Sequence, residues 1–235
     1  MNYKNITLSI IIPCYNEEKT IEKIIEKILT SSPYNNEIIV IDDCSTDQSK
    51  KILETNHDNK ISKLIFNKKN YGKGYSVRQG IEVATGDIIL IQDADLEYDP
   101  SDYYRLVGPI INGDADVVYG SRFIGSGEKR VLYYWHSFGN KILTTISNMF
   151  TNLNLTDMEN CYKVFKSDII KSIKLKENRF GFEPEITAKL AKKNLRIFEV
   201  GVKYYGRNYS DGKKITWKDG ISAIRCIVQY NLFNN

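Results

Sequence analysis

Residues 6–30 read ITLSIIIPCYNEEKTIEKIIEKILT, and this stretch joins a buried strand to an amphipathic helix. Positions 6–12 are almost continuously apolar, as in a strand that is covered on both faces. Pro13 ends that run, and isoleucines then recur at positions 21, 24, 25 and 28, which is the spacing of one helical face. A buried strand followed by such a helix is the repeating unit of a parallel α/β sheet.

The same alternation of strands and helices continues along the chain. Strands are predicted at 37–41, 63–66 and 87–91, with helices at 46–53 and 75–84 between them. Further on, the pattern predicts helices at 103–111, at 132–150 and near Ser167 and Phe182, and strands at 116–119 and 195–200. This order predicts an α/β fold with a doubly wound, mostly parallel, Rossmann-like sheet flanked by helices. Since no linker interrupts it, we expect one domain.

Composition excludes several classes of protein. The chain of 235 residues is 42% hydrophobic and 26% charged, as in ordinary soluble domains. No apolar run approaches the roughly 18 residues of a membrane span, and no signal segment opens the sequence, so we expect a cytoplasmic protein. Four scattered cysteines and two histidines do not have the spacing of a zinc or redox motif.

The positive charge is concentrated at the end of the chain. From Lys203 onward there are six basic and two acidic residues, so this tail accounts for the whole net charge of +4. A neutral body with a cationic tail suits an anionic partner, such as a diphosphate, a lipid phosphate or a membrane surface. A solvated basic end is the alternative. No nucleic acid partner is expected.

Polar residues follow each predicted strand in the first half of the chain. They are Pro13, Tyr15, Asn16 and Glu17, then Asp42, Asp43, Ser45 and Asp47, then Asn70, Gly72, Lys73 and Gly74, then Asp93, Asp95 and Glu97, and finally Ser121 and Arg122. Any one group could be a helix cap or a turn. Because adjacent parallel strands end at the same edge, the five groups together predict one polar crevice.

Alternating carboxylates make the fourth group chemically distinctive. Asp93, Asp95 and Glu97 follow an apolar strand directly and offer the hard oxygen ligands that Mg2+ or Mn2+ prefers. Such a cation bridges protein carboxylates to the phosphates of a substrate. The residues therefore predict an enzyme that uses a nucleotide diphosphate and a divalent metal ion.

An ordered set of motifs resembles the family-two glycosyltransferases of the GT-A fold, and within them the dolichol-phosphate mannosyltransferase branch. The motifs are Pro13-x-Tyr15-Asn16-Glu17, Ile41-Asp42-Asp43-x-Ser45-x-Asp47, Asn70-x-Gly72-Lys73-Gly74, Ala84-Thr85-Gly86-Asp87, Asp93-Ala94-Asp95, Gly120-Ser121-Arg122, and Arg207 with Lys213. They cover about residues 6 to 220. The resemblance divides the single domain, 1–235, into a nucleotide-sugar half of about 1–125 and an acceptor half of about 126–235.

The resemblance also implies roles for individual residues. Nucleoside and donor contacts fall on Pro13, Tyr15, Glu17, Ile41, Asp43, Lys73, Asp93 and Ala94, and metal contacts on Asp93, Asp95 and Glu97. Catalytic positions are Asp95, Arg122, Arg207 and Lys213, the cations of this set contacting donor and acceptor phosphates. Asp157 is a further catalytic candidate on chemical grounds, as a base for a hydroxyl acceptor, and a helix cap is its alternative role. Two positions depart from the family pattern: Glu97 stands where Gln is frequent, and Gly212 where Ser usually precedes Lys213.

The activity implied is inverting transfer of a hexose from a nucleotide-diphosphate sugar, of the GDP-mannose or UDP-glucose type, to a polyprenyl or dolichyl phosphate. A phosphate acceptor needs no general base, because its second pKa is about 6. Transfer to a sugar hydroxyl in glycan synthesis is the alternative, with Asp157 or Glu159 as the base. A non-catalytic nucleotide-binding module is a more distant one. The sequence leaves the sugar, the nucleotide, the lipid length and the preferred metal open.

Three segments of the second half have more than one interpretation. Glu183 and Glu185 suit the first turn of a helix, so we predict a structural role for both. The aromatic stripe from Tyr133 to Phe138 predicts core, the alternative being the flank of a lipid groove. A C-terminal amphipathic helix, with Trp217, Ile221, Ile224 and Val228 on one side, predicts peripheral membrane binding. Packing on the domain, on a membrane-anchored partner subunit or in a homo-oligomer is the alternative.

Overall fold

A computed structural model describes residues 5–56, 60–125, 130–131, 133–207 and 217–233. Within these residues the strands are β1 (Thr7–Cys14), β2 (Asn35–Asp42), β3 (Lys63–Phe66), β4 (Ile88–Ile91), β5 (Val117–Ser121), β6 (Lys163–Lys166) and β7 (Ile197–Gly201). The helices are α1 (Ile21–Ser31), α2 (Ser49–Asn56), α3 (Lys73–Val83), α4 (Tyr103–Ile111), α5 (Tyr134–Thr151), α6 (Ser167–Lys171), α7 (Phe182–Ala191) and α8 (Trp217–Val228). Lys213 lies outside the described residues.

The described strands form one seven-stranded sheet in the order β3-β2-β1-β4-β6-β5-β7. β1 pairs in parallel with β2 and β4, β2 with β3, and β5 with β7. The predicted mostly parallel α/β sheet is therefore confirmed. The sequence patterns did not predict β6, which is antiparallel to both β4 and β5. Its four residues, KVFK, are too short to display a period, and the lysine that opens it is fully buried.

Strand directions bring distant segments to one edge of the sheet. β4 and β5 both run antiparallel to β6, so their carboxyl ends lie at the same edge as those of β1, β2 and β3. The antiparallel direction of β6 brings the segment before it, residues 156–162, to that edge as well. Residues 202–207 leave β7 in the same direction. Seven chain segments consequently meet where the sequence predicts a crevice.

The centre of the sheet is apolar on both faces, as the continuous isoleucine and valine runs require. Residues 8–12 of β1 and 38–41 of β2 are buried, and α1 covers them with Ile21, Ile24, Ile25 and Ile28. One buried polar cluster interrupts this core. The Glu37 carboxylate accepts hydrogen bonds from Ser9, from Lys63 Nζ at 2.7 Å and from both the amide and hydroxyl of Thr85.

The aromatic stripe of α5 corrects a prediction, because it lies on the surface and not in the core. Tyr134 and Trp135 are 69% and 76% exposed, and Phe138 and Ile142 are exposed as well. The helix instead buries Thr144 and Ser147, while Leu143 and Ile146 pack partly against the core. These exposed apolar side chains of α5 are therefore accessible to a lipid or to another protein.

Helix α8 packs on α5 and α7 through a face that the sequence pattern did not indicate. Ala223, Cys226, Ile227 and Tyr230 are buried, whereas Ile221 and Ile224, on the predicted apolar side, are exposed. The helix is apolar on two sides, so periodicity alone did not decide which side packs. No helix within the described part of the chain is long and apolar enough to cross a bilayer.

Candidate active site

A cavity of about 710 Å³ opens at the edge where the strands end. Residues that the sequence predicted line it from six segments: Pro13, Tyr15, Glu17, Asp43, Lys73, Asp93, Ala94, Asp95, Glu97, Arg122 and Arg207. Of the described residues to which a binding or catalytic role was assigned, Ile41 and Asp157 do not line it. Ile41 is fully buried within β2, and Asp157 lies behind Arg122. A volume of this size accommodates a nucleotide and a sugar together.

The carboxylates after β4 are held by a tight turn. Leu96 has a φ of 63°, a left-handed conformation, and the Glu97 amide donates to Asp95 Oδ1 at 3.0 Å. Burial, with the neighbouring Asp93 and Glu97 carboxylates, raises the pKa of Asp95 to about 8. Negative charge is thus crowded here beyond what the protein itself compensates, as expected where a cation binds.

Glu97 is only partly available to a cation. Its carboxylate accepts hydrogen bonds from the Tyr204 hydroxyl at 2.9 Å and from the Arg207 amide at 2.6 Å. Among the described residues no group of three or more carboxylate, histidine or cysteine side chains is arranged to hold a metal ion. The predicted set of three ligands is therefore not assembled, whereas Asp93 and Asp95 remain as a pair. A pair fits Mg2+ or Mn2+, which completes its shell with substrate phosphates and water.

Two cations from segments far apart in the sequence, Lys73 and Arg207, face these carboxylates. Arg207 Nη2 lies 2.7 Å from Glu17 Oε2 and donates to the Asp95 carbonyl at 2.6 Å. Lys73 Nζ lies 3.0 Å from Asp93 Oδ1 and 3.1 Å from Glu183 Oε1. Burial alone would lower the pKa of Lys73, but these carboxylates raise it well above its ordinary value. Both cations are charged at neutral pH, and such groups form strong hydrogen bonds to phosphate oxygens.

Arg122 is held by Asp157 in a buried bidentate pair. Its Nε and Nη2 donate to the two oxygens of Asp157, both at 2.7 Å, and its amide donates at 2.9 Å. Asn140 and Asn160 also donate to that carboxylate. Burial would raise the pKa of Asp157, but the Arg122 charge and these hydrogen bonds lower it. With its lone pairs occupied, Asp157 is suited to orienting Arg122 toward the cavity.

Asp43, which is predicted to contact the nucleoside, holds a neighbouring loop in place. Its carboxylate accepts from the amides of Tyr71 and Gly72 and from the Asn67 side chain. Gly72 has a φ of +103°, and a Cβ there would approach the Asn178 carbonyl oxygen to 2.5 Å. This glycine thus lets the loop before α3 reach the site, as the predicted Asn-x-Gly-Lys-Gly motif requires.

Several cavity residues escaped the sequence-based prediction. Trp135, His136, Asn140 and Leu143 from α5, and Asp219, Gly220 and Ala223 from α8, line its outer part. Glu183 lines its inner part together with Glu159, which the sequence named only as an alternative base. Only the aromatic composition of α5 signalled the outer residues. Glu183 was assigned a structural role together with Glu185, but the two differ, because Glu185 accepts from the amides of Lys176 and Glu177.

Comparison with known proteins identifies the family to which the chain is similar. Residues 9–174 match the family model described as Glycosyl transferase family 2. The chain is 28% identical over 212 residues to an undecaprenyl-phosphate 4-deoxy-4-formamido-L-arabinose transferase of Proteus mirabilis, covering 88% of the chain and 62% of the relative. It is 25% identical over 215 residues to a dolichol-phosphate mannosyltransferase of Pyrococcus furiosus, covering 88% and 60%. The chain thus spans less than two thirds of the length of these relatives.

The fold is similar to that of a solved glucosyl-3-phosphoglycerate synthase from Mycobacterium tuberculosis. That structure, in complex with Mn2+, UDP and glucosyl-3-phosphoglycerate, superposes with a TM-score of 0.75 at 18% identity. The match covers 96% of this chain and 80% of the synthase. Similarity at this level of identity concerns the fold, which is the GT-A fold.

Proposed function

The chain belongs to glycosyl transferase family 2, and from that membership we propose that it transfers a hexose from a nucleotide-diphosphate sugar to a polyprenyl phosphate with inversion of configuration. The donor is of the GDP-mannose or UDP-glucose type. The observation that carries the proposal is a cavity with a charged inner end, where Asp93, Lys73 and Arg207 meet, and an outer end between α5 and α8 that includes the apolar side chains of Trp135, Leu143 and Ala223.

The charged end suits a nucleotide diphosphate. Lys73 and Arg207 can bind the phosphate oxygens, and Arg122 is held ready by its buried pair with Asp157. Positive groups fixed in a partly buried site stabilise the negative charge that develops on a leaving diphosphate. A divalent metal ion on Asp93 and Asp95, when bound, would neutralise further charge on that group.

In the proposed reaction a phosphate oxygen of the acceptor forms a bond to the anomeric carbon while the bond from that carbon to the diphosphate breaks. The nucleoside diphosphate leaves with the electron pair, and attack from the opposite face inverts the configuration. Because a phosphate monoester is largely dianionic at pH 7, no protein group has to remove a proton.

Transfer to a sugar hydroxyl would require a general base, for which Asp157 and Glu159 are the candidates. Asp157 is engaged with Arg122, Asn140 and Asn160. Burial and the nearby Glu183 carboxylate raise the pKa of Glu159 to about 8, so it is largely protonated at neutral pH. These properties favour an acceptor that is already ionised.

The apolar end suits a polyprenyl chain at a membrane surface. Trp135 and Leu143 line the cavity, and Trp135 is also part of the exposed aromatic stripe of α5. Ile221, Ile224, Leu232 and Phe233 extend the apolar surface along α8 and the turn after it. Aromatic and aliphatic side chains beside basic residues bind in the plane of a membrane interface. We propose peripheral binding there, directly or beside a membrane-anchored subunit.

Incubation with radiolabelled GDP and UDP sugars, a polyprenyl phosphate and Mn2+ tests this function. Label in the organic phase supports it. Release of nucleotide only when glycan acceptors are present would favour transfer to a hydroxyl instead.

A further inference from the structure

Two carboxyl groups in the inner cavity have oxygens without a hydrogen-bond partner. Glu183 is 3% exposed, and while its Oε1 contacts Lys73, its Oε2 is buried and unpartnered within the described part of the chain. Glu159 Oε1 is buried and unpartnered in the same sense. Both residues line the cavity. Because a buried polar atom without a partner is costly, such pairs of atoms in a cavity point to a ligand that supplies the missing hydrogen bonds.

The loop that carries Glu159 is fixed by a buried lysine. Lys163 Nζ donates to the carbonyl of Met158 at 3.0 Å and also to the carbonyl of Asn160, the residues on either side of Glu159. Asn160 in turn accepts from the Tyr162 amide and donates to Asp157. The position of Glu159 is therefore set before any ligand arrives, as in a preorganised binding site.

Glu183 is fixed equally well, and its surroundings locate the missing ligand. It lies in the first turn of α7, and its Oε1 is 3.1 Å from the Lys73 Nζ that also contacts Asp93. The Lys73 side chain thus lies between Glu183 and Asp93, which belongs to the turn proposed to bind the diphosphate. The donor diphosphate joins the nucleoside, which is expected near Asp43, to the sugar, so the sugar hydroxyls are the donor groups expected to reach this position.

We propose that Glu159 and Glu183 bind hydroxyl groups of the donor hexose and so determine which nucleotide sugars the cavity accepts. This inference rests on the proposed function for the nature of the donor, but not for the acceptor. The ligand class is a hexose with free hydroxyls on the side facing α7. Each unpartnered carboxyl oxygen accepts a hydrogen bond from a sugar hydroxyl, and a protonated carboxyl group also donates one.

The test compares the binding of a nucleotide sugar with that of its bare nucleoside diphosphate by titration calorimetry, using the pairs GDP-mannose with GDP and UDP-glucose with UDP. In Glu183→Gln the side chain keeps an oxygen for Lys73 but replaces the free acceptor by an amide donor. We expect it to weaken nucleotide-sugar binding about tenfold while the nucleoside diphosphate binds within twofold of wild type. Glu159→Ala should behave likewise, and the near-isosteric Glu159→Gln should retain most of the affinity.

Glu82→Gln, a change of the same kind on the exposed side of α3, serves as the matched control. Equal weakening of both ligands, or no weakening of either, would overturn the inference, because the carboxyls would then act on the fold or hold only water. Failure of the wild type to bind any nucleotide sugar would refute the donor assignment and the inference with it. Selective weakening together with transfer to a glycan acceptor would uphold the inference and refute the lipid acceptor.

Discussion

Arg207 and Glu17 are 190 positions apart in sequence, yet Arg207 Nη2 lies 2.7 Å from Glu17 Oε2. Glu17 follows β1 and Arg207 follows β7, so this ion pair joins segments from a central strand and from the β7 edge of the sheet. The same guanidinium donates to the carbonyl of Asp95. The Arg207 side chain therefore holds three segments together: the loop after β1, the turn that carries Asp95, and the segment after β7.

Arg207→Ala should lower kcat/KM for sugar transfer by about 10²-fold or more, because it removes a fixed positive charge beside the leaving diphosphate. Arg207→Lys keeps the charge but not the two parallel N–H donors of the guanidinium group, so its activity should lie between those of the wild type and Arg207→Ala. Steady-state kinetics with each variant measures this. Activity of the alanine variant near the wild-type value, with an unchanged melting temperature, would exclude Arg207 from phosphate binding.

Asp157→Asn should destabilise the protein by about 3 kcal/mol as well as reduce its activity, because it leaves the buried Arg122 charge without its partner. Denaturant unfolding measures the free energy, and Asp168→Asn, on the exposed side of α6, is the control. If Asp157 were instead a general base, activity would fall while the free energy of unfolding stayed within about 0.5 kcal/mol of wild type.

The cluster around Glu37 predicts a loss of stability in acid. Burial alone would raise its pKa, but hydrogen bonds from Lys63, Ser9 and Thr85 lower it from 4.5 to about 2. A group whose pKa is lower in the folded state stabilises above its unfolded pKa, and this contribution disappears as the pH falls to the folded value. The difference in melting temperature between wild type and Glu37→Gln should therefore be largest above pH 4.5 and shrink toward pH 2. A constant difference would contradict the assignment.

Trp135→Ser combined with Phe138→Ser should weaken binding to anionic phospholipid vesicles at least fivefold, because it removes two exposed aromatic side chains from the α5 surface. Sedimentation of the protein with vesicles measures the bound fraction. Tyr104→Ser is the matched control, since Tyr104 is 60% exposed on α4 but lies outside this surface. Equal binding by all the proteins would count against docking through α5.

The first half of the site was predictable largely because β1, β2 and β4 are buried on both faces. Continuous apolar runs located β1 to β4, and the polar residues after each run, such as Asp43 and Lys73, reach the cavity as expected. Parallel strands need only the order of elements to bring their ends together. For that part of the chain, local pattern and tertiary structure agree.

The part of the site formed by the second half of the chain could not be predicted, because it depends on packing that sequence periodicity does not show. Strand β6 is too short to show a period, and without it the segment carrying Glu159 had no assigned edge. Glu183 and Glu185 are two positions apart in one helical turn, yet one faces the cavity and the other accepts backbone amides. For α5, a stripe of apolar residues predicted core but lies at the surface, because apolar faces serve interfaces as well as interiors.

Transfer of label from a radiolabelled nucleotide sugar into polyprenyl phosphate, compared between wild type and Asp95→Ala, tests the proposed function most directly. Burial and neighbouring carboxylates raise the pKa of Asp95 to about 8, so its removal should leave the melting temperature at or above that of wild type. We expect labelled lipid from the wild type with Mn2+ and none from the variant. Labelled lipid from both proteins alike, or from neither while a glycan acceptor is labelled, would contradict the proposal.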